Sequence, residues 1–174
     1  MPARTLILGG ARSGKSHFAL DLAGRQAGKK IYLATAEAGD AEMAARIARH
    51  RRERDAAWQT LEEPLRLVEA LRSLQGRVDA VLLDCLTFWL SNVMMRTESA
   101  QKISNEIDAL IDAVATADFG LIAVSNEVGQ GIVPADTLSR QFRDFSGVLH
   151  QQCAAVCETV YFMTAGIPQK IKGP

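Results

Sequence analysis

The chain has 174 residues, of which 48% are apolar and 23% are charged. This length is enough for one well-buried core and too short for two ordinary domains, so we expect a single domain over residues 1–174. Basic and acidic residues number 20 each, and this balance gives no reason to expect nucleic acid or an anionic membrane as a partner. Any function that depends on charge must therefore be local.

The cysteines and the first residues of the chain indicate where such a protein works. Cys85, Cys153 and Cys157 lack the even count and the spacing of a disulfide framework, and they form no Cys-x-x-Cys pair. The apolar run near the start of the chain is too short for a signal peptide or a membrane span. We therefore expect reduced thiols and a cytoplasmic protein without a membrane span.

Short apolar runs alternate with longer amphipathic stretches along the chain. This alternation is typical of strands that crossover helices bury on both faces, and it predicts an α/β fold with a mainly parallel sheet and helices on both faces. The predicted strands span residues 5–8, 30–34, 80–84, 120–125 and 159–163. The predicted helices span residues 16–26, 40–54, 64–74, 98–117 and 138–157.

Two helix starts and the end of the chain carry specific expectations. Asp40 is predicted to cap the second helix, and Pro64 is predicted to lie in the first turn of the third, where a missing backbone N–H does no harm. The residues from Gly166 onward are expected to form a short trailing segment.

The strongest motif follows the first predicted strand and precedes the first predicted helix. It fits the Gly-x-x-x-x-Gly-Lys-Ser/Thr pattern, in which backbone N–H groups and the positive end of a helix cradle phosphates. We expect Lys15 to reach the terminal phosphates and Ser16 to ligate Mg²⁺, whereas Arg12 either contacts a phosphate or points to solvent. The motif predicts a nucleoside triphosphate site formed by Gly9, Gly10, Ala11, Arg12, Ser13, Gly14, Lys15 and Ser16.

An acidic residue, Asp84, ends the apolar strand predicted at residues 80–84. Folds of this type bring such a carboxylate near the bound metal at the carboxyl edge of the sheet. Aspartate at this position also commonly caps the next turn through its side chain. Because the chain also has a phosphate loop, we favour Asp84 as the carboxylate that associates with Mg²⁺.

The predicted helix at residues 40–54 concentrates arginines around one histidine, His50. At 3.6 residues per turn, Met43, Ile47, His50 and Arg54 share one face of this helix. A neutral imidazole beside a bound triphosphate can attack phosphorus while arginines stabilise the developing charge. Residue chemistry alone nevertheless favours a packed structural histidine, because reactive histidines are a minority.

The other two histidines, His17 and His150, have no partners at metal-ligand spacing, and we expect both to be structural. The loop after the fourth predicted strand places Asn126 and Glu127 at the ligand-binding edge of the sheet. These two side chains either meet substrate, water or the metal shell, or belong to a purely structural loop, since the Gly-x-Gly that follows is not a specific signal.

Taken together, these segments resemble the bifunctional adenosylcobinamide kinase / adenosylcobinamide-phosphate guanylyltransferase family of cobalamin biosynthesis. The matching segments occur in the order of the family and span nearly the whole chain. They are residues 9–16, 32–36, 42–47 with His50, 58–60 with Glu62, 82–85, 126–134 and 142–144. The arginine-rich helix with its histidine and the segment 126–134 are more specific to the family than the phosphate loop.

The resemblance implies a role for each matching residue. It implies that His50 attacks the α-phosphorus of GTP and forms a guanylylated enzyme, which passes GMP to adenosylcobinamide phosphate. It also implies phosphorylation of adenosylcobinamide with ATP or GTP, with Lys15 as the second catalytic residue. The implied nucleotide contacts are the phosphate loop, Ala34, Thr35, Ala36, Arg51, Arg52, Glu53, Arg54, Glu62 and Asp84, with Ser16 and Asp84 at the metal.

The resemblance further implies a RecA-like P-loop NTPase fold and a homo-oligomer, most simply a homotrimer. Two other hypotheses remain open on the residues alone. One is a simple P-loop kinase without a covalent intermediate, in which His50 is structural. The other is a nucleotide-dependent regulatory protein that holds nucleic acid on its basic helix, although the neutral charge and the lack of a nucleic-acid motif disfavour it.

Overall fold

The computed structural model describes residues 2–37, 39 and 58–174. Seven strands alternate with helices along this part of the chain. The strands are β1 (Arg4–Gly9), β2 (Lys30–Ala34), β3 (Trp58–Glu62), β4 (Ala80–Asp84), β5 (Gly120–Val124), β6 (Thr159–Thr164) and β7 (Ile167–Lys172). The described helices are α1 (Lys15–Gly24), α2 (Leu67–Leu74), α3 (Leu86–Arg96), α4 (Ala100–Ala115) and α5 (Thr137–Val156).

All seven strands form one sheet in the order β3-β2-β4-β5-β1-β6-β7. Every neighbouring pair is parallel except β6 and β7, which form an antiparallel hairpin. The prediction of a mainly parallel sheet is therefore confirmed. Because parallel strands share a direction, their carboxyl ends meet at one edge, which is where ligands bind in open α/β sheets.

The central strands are apolar at most of their inner positions because the sheet is covered on both faces. In β1, Leu6 and Leu8 pack into the cluster that contains α2, α3, α4 and α5, whereas Ile7 packs into the cluster that contains α1. The same alternation occurs in β4, where Leu83 faces the larger cluster and Leu82 the smaller one. The predicted arrangement with helices on both faces is thus confirmed.

Three elements were absent from the sequence prediction, and each absence has a physical reason. Every residue of β7 is exposed and β3 is largely exposed, so neither edge strand carries the apolar run by which buried strands are recognised. Helix α3 is nearly apolar throughout and follows β4 after one residue, so its helical periodicity is hidden. The expected trailing segment after Gly166 is in fact β7.

The start of the third predicted helix was wrong by three residues. Helix α2 begins at Leu67 instead of Pro64. The Glu63 carboxylate accepts hydrogen bonds from the N–H groups of Leu65, at 3.0 Å, and Arg66, at 2.8 Å. These bonds hold residues 63–66 as a capped turn ahead of the helix. The predicted helix at residues 40–54 and its capping residue Asp40 lie outside the described residues.

In the described ranges, no helix combines the length and the apolar character that a membrane crossing requires.

Candidate nucleotide-binding site

The phosphate loop depends on two glycines whose backbone conformations disfavour other residues. Gly9 has a φ of +150°, and a Cβ atom placed on it would lie 2.6 Å from the carbonyl oxygen of Met163. Gly14 has a φ of +94° and immediately precedes α1. A side chain at either position would force the loop away from β6 or out of its turn. The two glycines of the sequence motif are thus required by backbone geometry.

Lys15 and Ser16 begin α1, directly after this turn. Lys15 is only 6% exposed, and its ammonium group donates to the carbonyl oxygen of Gly10 at 2.5 Å and to Oγ of Ser13 at 3.3 Å. The loop therefore wraps around the lysine. Arg12 has a left-handed backbone with a φ of +55°, and its side chain is exposed to solvent.

A row of predicted site residues crosses the carboxyl edge of the sheet. Ala34 is paired in register with Glu62 on one side and with Asp84 on the other. Since adjacent strands are about 4.8 Å apart, Glu62 and Asp84 are separated by roughly 10 Å. Strand β5 lies between β4 and β1, so Asp84 is also roughly 10 Å across the sheet from the strand that leads into the phosphate loop.

Asp84 is held in place by Tyr32, which the sequence analysis did not single out as a site residue. The buried phenol of Tyr32 donates a hydrogen bond to Oδ2 of Asp84 at 2.5 Å. Tyr32 lies on β2, the strand beside β4, two residues before Ala34, which is paired with Asp84. The alternation of side chains could therefore have indicated the contact between Tyr32 and Asp84 only if the pairing of β2 with β4 had been known.

Thr35 fixes the segment that follows Asp84. Its buried hydroxyl donates to the carbonyl oxygen of Cys85 at 2.6 Å and accepts from the N–H of Cys85 at 2.8 Å. Its carbonyl oxygen accepts from the amide of Asn92 at 2.9 Å. The side chain of Thr35 therefore positions the end of β4, while the neighbouring Ala36 is half-buried.

The three cysteines are buried free thiols. Burial raises the pKa of the Cys85 thiol to about 12, and the adjacent Asp84 carboxylate acts in the same direction. Burial likewise raises the pKa of Cys157 to about 11 and that of Cys153 further still. These thiols stay protonated at neutral pH, so they are unsuited to nucleophilic attack or metal ligation.

The loop after β5 is tied to both the phosphate loop and α3. The N–H of Glu127 donates to the carbonyl oxygen of Gly9 at 2.9 Å, and the N–H of Asn126 donates to Oγ1 of Thr87 at 2.7 Å. The Glu127 carboxylate accepts from the N–H of Gly129. The backbone of this loop therefore packs against the phosphate-loop strand, while the Glu127 side chain bonds within its own loop and also faces His150 of α5.

The two described histidines differ in their surroundings. His17, on α1, is exposed and lies 3.7 Å from the Asp21 carboxylate. His150, on α5, is buried, with Nε2 2.7 Å from Oγ of Ser125. The sequence indicated only that neither histidine has metal-ligand spacing. It carried no signal for the contact between His150 and Ser125, which are 25 residues apart.

The turn of the β6–β7 hairpin contacts the phosphate loop directly. Ala165 and Gly166 form this turn with φ values of +51° and +83°. The N–H of Gly166 donates to the carbonyl oxygen of Ser13 at 3.0 Å, and a Cβ atom on Gly14 would lie 3.3 Å from Cα of Gly166. The hairpin is therefore part of the wall that holds the loop.

Replacing Gly166 with alanine is expected to loosen this wall. A Cβ atom at this position would meet no atom within 4 Å, so the cost is the left-handed backbone, about 1–2 kcal/mol of unfolding free energy. The substitution should also raise KM for the nucleotide. Urea unfolding and initial-rate kinetics measure the two effects.

Gly147→Ala is the matched control for this substitution. Gly147 lies inside α5, where an added Cβ meets nothing within 4 Å, so alanine should stabilise the protein by roughly 0.5–1 kcal/mol. Equal stability and equal KM in Gly166→Ala and the wild type would contradict the role of the hairpin turn.

The donor atoms near the phosphate loop fit Mg²⁺ better than a softer metal. Within the described residues there is no group of three or more His, Cys, Asp and Glu side chains that could enclose a metal. The donors predicted from the sequence are the Ser16 hydroxyl and the Asp84 carboxylate, and Mg²⁺ characteristically takes one or two carboxylates together with phosphates and water. His50, Arg51, Arg52, Glu53 and Arg54 lie outside the described residues.

Solved structures support the fold assignment. A chain of the type III secretion system ATPase of pathogenic bacteria superposes with a TM-score of 0.57 at 11% identity, covering 93% of this chain and 51% of that one. The RadB recombinase superposes with a TM-score of 0.51 at 16% identity, covering 92% and 73%. At such low identity these similarities concern the fold alone, and they confirm the predicted RecA-like P-loop architecture.

Sequence relatives identify the family. The bifunctional adenosylcobalamin biosynthesis protein CobP of Pseudomonas aeruginosa is 48% identical over 170 residues, covering 98% of both chains. The bifunctional adenosylcobalamin biosynthesis protein CobU of Escherichia coli is 38% identical over 179 residues, covering 96% of this chain and 98% of that protein. The model of one family matches residues 5–171. The resemblance noted from the sequence is confirmed, and the chain belongs to the cobinamide kinase / cobinamide phosphate guanyltransferase family of enzymes.

Proposed function

We propose that this enzyme phosphorylates adenosylcobinamide with ATP or GTP and then transfers GMP from GTP to adenosylcobinamide phosphate, giving adenosylcobinamide-GDP. The observation that carries the proposal is the family match over residues 5–171. That span includes the phosphate loop, the end of β4 and the arginine-rich segment with His50. The names of relatives that cover nearly the whole chain describe bifunctional proteins of adenosylcobalamin biosynthesis.

The phosphate loop supplies the chemistry of the kinase step. Phosphoryl transfer needs little covalent chemistry from a protein and depends on positioning and on neutralising charge at the phosphoryl oxygens. Lys15 and the backbone N–H groups at the start of α1 are suited to this work, because Lys15 is the first residue of the helix and no side chain of the described residues caps the N–H groups that follow the glycine turn. The oxygen of the acceptor hydroxyl forms a bond to the γ-phosphorus as the bond to the β-phosphate oxygen breaks, the hydroxyl proton is released, and the nucleoside diphosphate leaves.

The guanylyl step requires a nucleophile, for which we propose His50. A nitrogen of its imidazole forms a bond to the α-phosphorus of GTP as the bond to the β-phosphate oxygen breaks, and pyrophosphate leaves. A phosphate oxygen of adenosylcobinamide phosphate then attacks the same phosphorus, and the N–P bond breaks. Arg51, Arg52 and Arg54 offer cations that stabilise the charge on the phosphoryl oxygens in both half-reactions.

We propose that Ser16 and Asp84 hold Mg²⁺ with the nucleotide phosphates. When bound, Mg²⁺ neutralises charge on the phosphate oxygens. The hydrogen bond from Tyr32 orients Asp84 for this task and uses one of its two oxygens. The roughly 10 Å between Asp84 and Glu62 suits Glu62 to contacts beyond the phosphates, on the nucleoside, with the segment from Ala34 through Thr35 to Ala36 between them.

Two further properties follow from the resemblance. We propose that the enzyme acts as a homotrimer in the cytoplasm. Light scattering coupled to size-exclusion chromatography measures the trimer mass directly, and a monomer under assay conditions would contradict the oligomeric part of the proposal.

Labelled nucleotides test the proposed pair of reactions. With Mg²⁺ and GTP labelled at the α-phosphate, the protein should retain label that is acid-labile and base-stable, as a phosphoramidate is. Adding adenosylcobinamide phosphate should discharge this label into the corrinoid product. Transfer of γ-label to adenosylcobinamide without any protein-bound GMP would instead support a simple kinase and contradict the guanylyl half of the proposal.

A further inference from the structure

His150 is the first member of a chain of polar side chains that is buried at His150 and Ser125 and half-buried at Thr87. It is 6% exposed, and its Nε2 atom lies 2.7 Å from Oγ of Ser125, the fully buried residue that follows β5. The Ser125 hydroxyl is in turn 3.0 Å from Oγ1 of Thr87. Thr87 lies in the first turn of α3, three residues after Asp84. The chain thus connects α5 with the end of the strand that carries the candidate metal-binding carboxylate.

One arrangement of protons satisfies the hydrogen bonds that link His150, Ser125 and Thr87. Nδ1 of His150 makes no hydrogen bond within the described residues, but it lies 3.5 Å from Oε2 of Glu127. Because a carboxylate only accepts, the imidazole proton belongs on Nδ1, beside that carboxylate. Nε2 then accepts from the Ser125 hydroxyl, whose oxygen accepts from the Thr87 hydroxyl. Oγ1 of Thr87 accepts from the N–H of Asn126. Neutral His150 therefore gives all of these hydrogen bonds one direction.

The same residues are bonded directly to the strand that carries the phosphate loop. The N–H of Ser125 donates to the carbonyl oxygen of Ile7 at 3.0 Å, and the N–H of Glu127 donates to that of Gly9 at 2.9 Å. The phosphate loop, the start of α3 and the loop after β5 consequently meet at this chain. A small displacement of such a meeting point misplaces reacting groups, which costs about 10²-fold in rate.

We propose that His150 is a positioning residue, which in its neutral form holds these three segments in register for nucleotide binding and transfer, and that its protonation disrupts this arrangement. The inference rests on the proposed function only for its activity measurements. Among the described residues, His150 is bonded to Ser125 and, through Ser125, to Thr87, and it acts through these two side chains.

Protonation would reverse the chain. With a proton on both nitrogens, Nε2 must donate to Oγ of Ser125, and the Ser125 hydroxyl must turn towards Thr87. Oγ1 of Thr87 already accepts from Asn126, so its own proton loses its partner in the chain. A buried hydroxyl network with a misdirected proton is costly, and relieving it requires the segments to move.

The surroundings of His150 favour its neutral form, so its protonation requires a pH below the ordinary pKa of histidine. Burial lowers the pKa of His150 below its ordinary value of 6.5, and the Glu127 carboxylate opposes this effect only in part. The neighbours from β5 and α3, Ser125 and Thr87, carry no charge. Glu127 is the group whose charge acts on His150 within the described part of the chain. Stability from neutral His150 is thus present above pH 6.5 and is lost as the pH falls through the lowered pKa.

The pH profile of the kinase reaction with ATP tests this inference, because that reaction does not use His50 as nucleophile. In the wild type, kcat/KM should fall about tenfold per pH unit below the pKa of His150. His150→Gln keeps an acceptor near the position of Nε2 but cannot be protonated, so it should stay active and lose this acid limb. His17→Gln, at the exposed histidine, should keep it. An unchanged acid limb in His150→Gln would overturn the inference.

A second pair of variants separates positioning from simple packing. His150→Leu fills the space without accepting from Ser125, and it should lower kcat/KM about 10²-fold at pH 8. Ser125→Ala breaks the same chain, so the double variant should lose no more than the worse single one. Additive losses, or wild-type kinetics in His150→Leu, would overturn the inference. If His150→Leu does not fold, the pH profile of His150→Gln and the kinetics of Ser125→Ala distinguish positioning from packing.

Two measurements are independent of corrinoid activity. The imidazole signal that disappears from the NMR spectrum of His150→Gln should titrate below 6.5 in the wild type. Affinity for GTP should weaken in parallel with that titration in the wild type but not in His150→Gln. A pKa of His150 at or above 6.5 would overturn the inference, and so would a GTP affinity that does not change as His150 titrates. If both measurements agree with the inference but the enzyme does not act on adenosylcobinamide, the result counts against the proposed function alone.

Discussion

Replacing His50 with alanine should abolish the α-phosphate label on the protein and lower GMP transfer by about 10³-fold or more, because the covalent intermediate has lost its nucleophile. Phosphorylation of adenosylcobinamide should persist, since in the proposed mechanism the kinase step forms no bond to the imidazole. Denaturing gel electrophoresis of the labelled protein at neutral or alkaline pH, where the phosphoramidate survives, measures the first effect, and corrinoid phosphorylation with γ-labelled ATP measures the second.

The chain provides a matched histidine for this experiment. His17 lies two residues after Lys15 on α1 and is exposed, so His17→Ala should retain both the label and GMP transfer. Label that persists in His50→Ala and disappears in His17→Ala would reassign the nucleophile. Loss of label together with loss of kinase activity in His50→Ala would indicate that the arginine-rich segment has a general role in nucleotide binding.

The sequence predicted those strands and helices whose buried residues form a regular apolar pattern. Strand β2 (Lys30–Ala34) and strand β4 (Ala80–Asp84) have the predicted bounds, because each contains a buried apolar run with one charged residue at one end. Strand β7 has only exposed residues. Its existence depends on backbone pairing with β6 and on a turn at Gly166, and neither leaves an apolar pattern in the sequence.

The candidate site divides in the same way. The phosphate loop was predictable because its glycines and lysine are adjacent in the chain, and backbone geometry requires Gly9 and Gly14 where the motif has them. The contact of Tyr32 with Asp84 joins residues 52 positions apart, and that of His150 with Ser125 joins residues 25 apart. Such pairs follow from the order of the strands, which periodicity does not provide.

The second large effect is expected at Lys15, where methionine preserves length and apolar stem but removes the charge. Both transfers should fall by about 10²–10³-fold, because each develops negative charge on phosphate oxygens that the ammonium group neutralises. The fold should survive, since the buried side chain keeps its volume while losing its bonds to Gly10 and Ser13. Lys29 is an exposed lysine that follows the end of α1 in the sequence. Lys29→Met should leave both rates unchanged.

The comparison of Lys15→Met with His50→Ala tests whether one phosphate loop serves both reactions. If a single nucleotide position is used, Lys15→Met must lose the protein-bound GMP as well as the kinase activity, because His50 can attack only a GTP whose phosphates the loop holds. Kinase loss with a normal rate of labelling would contradict this and place the guanylyl donor away from Lys15. A single nucleotide position requires the first result, since the same loop would then present the γ-phosphorus to one acceptor and the α-phosphorus to the imidazole.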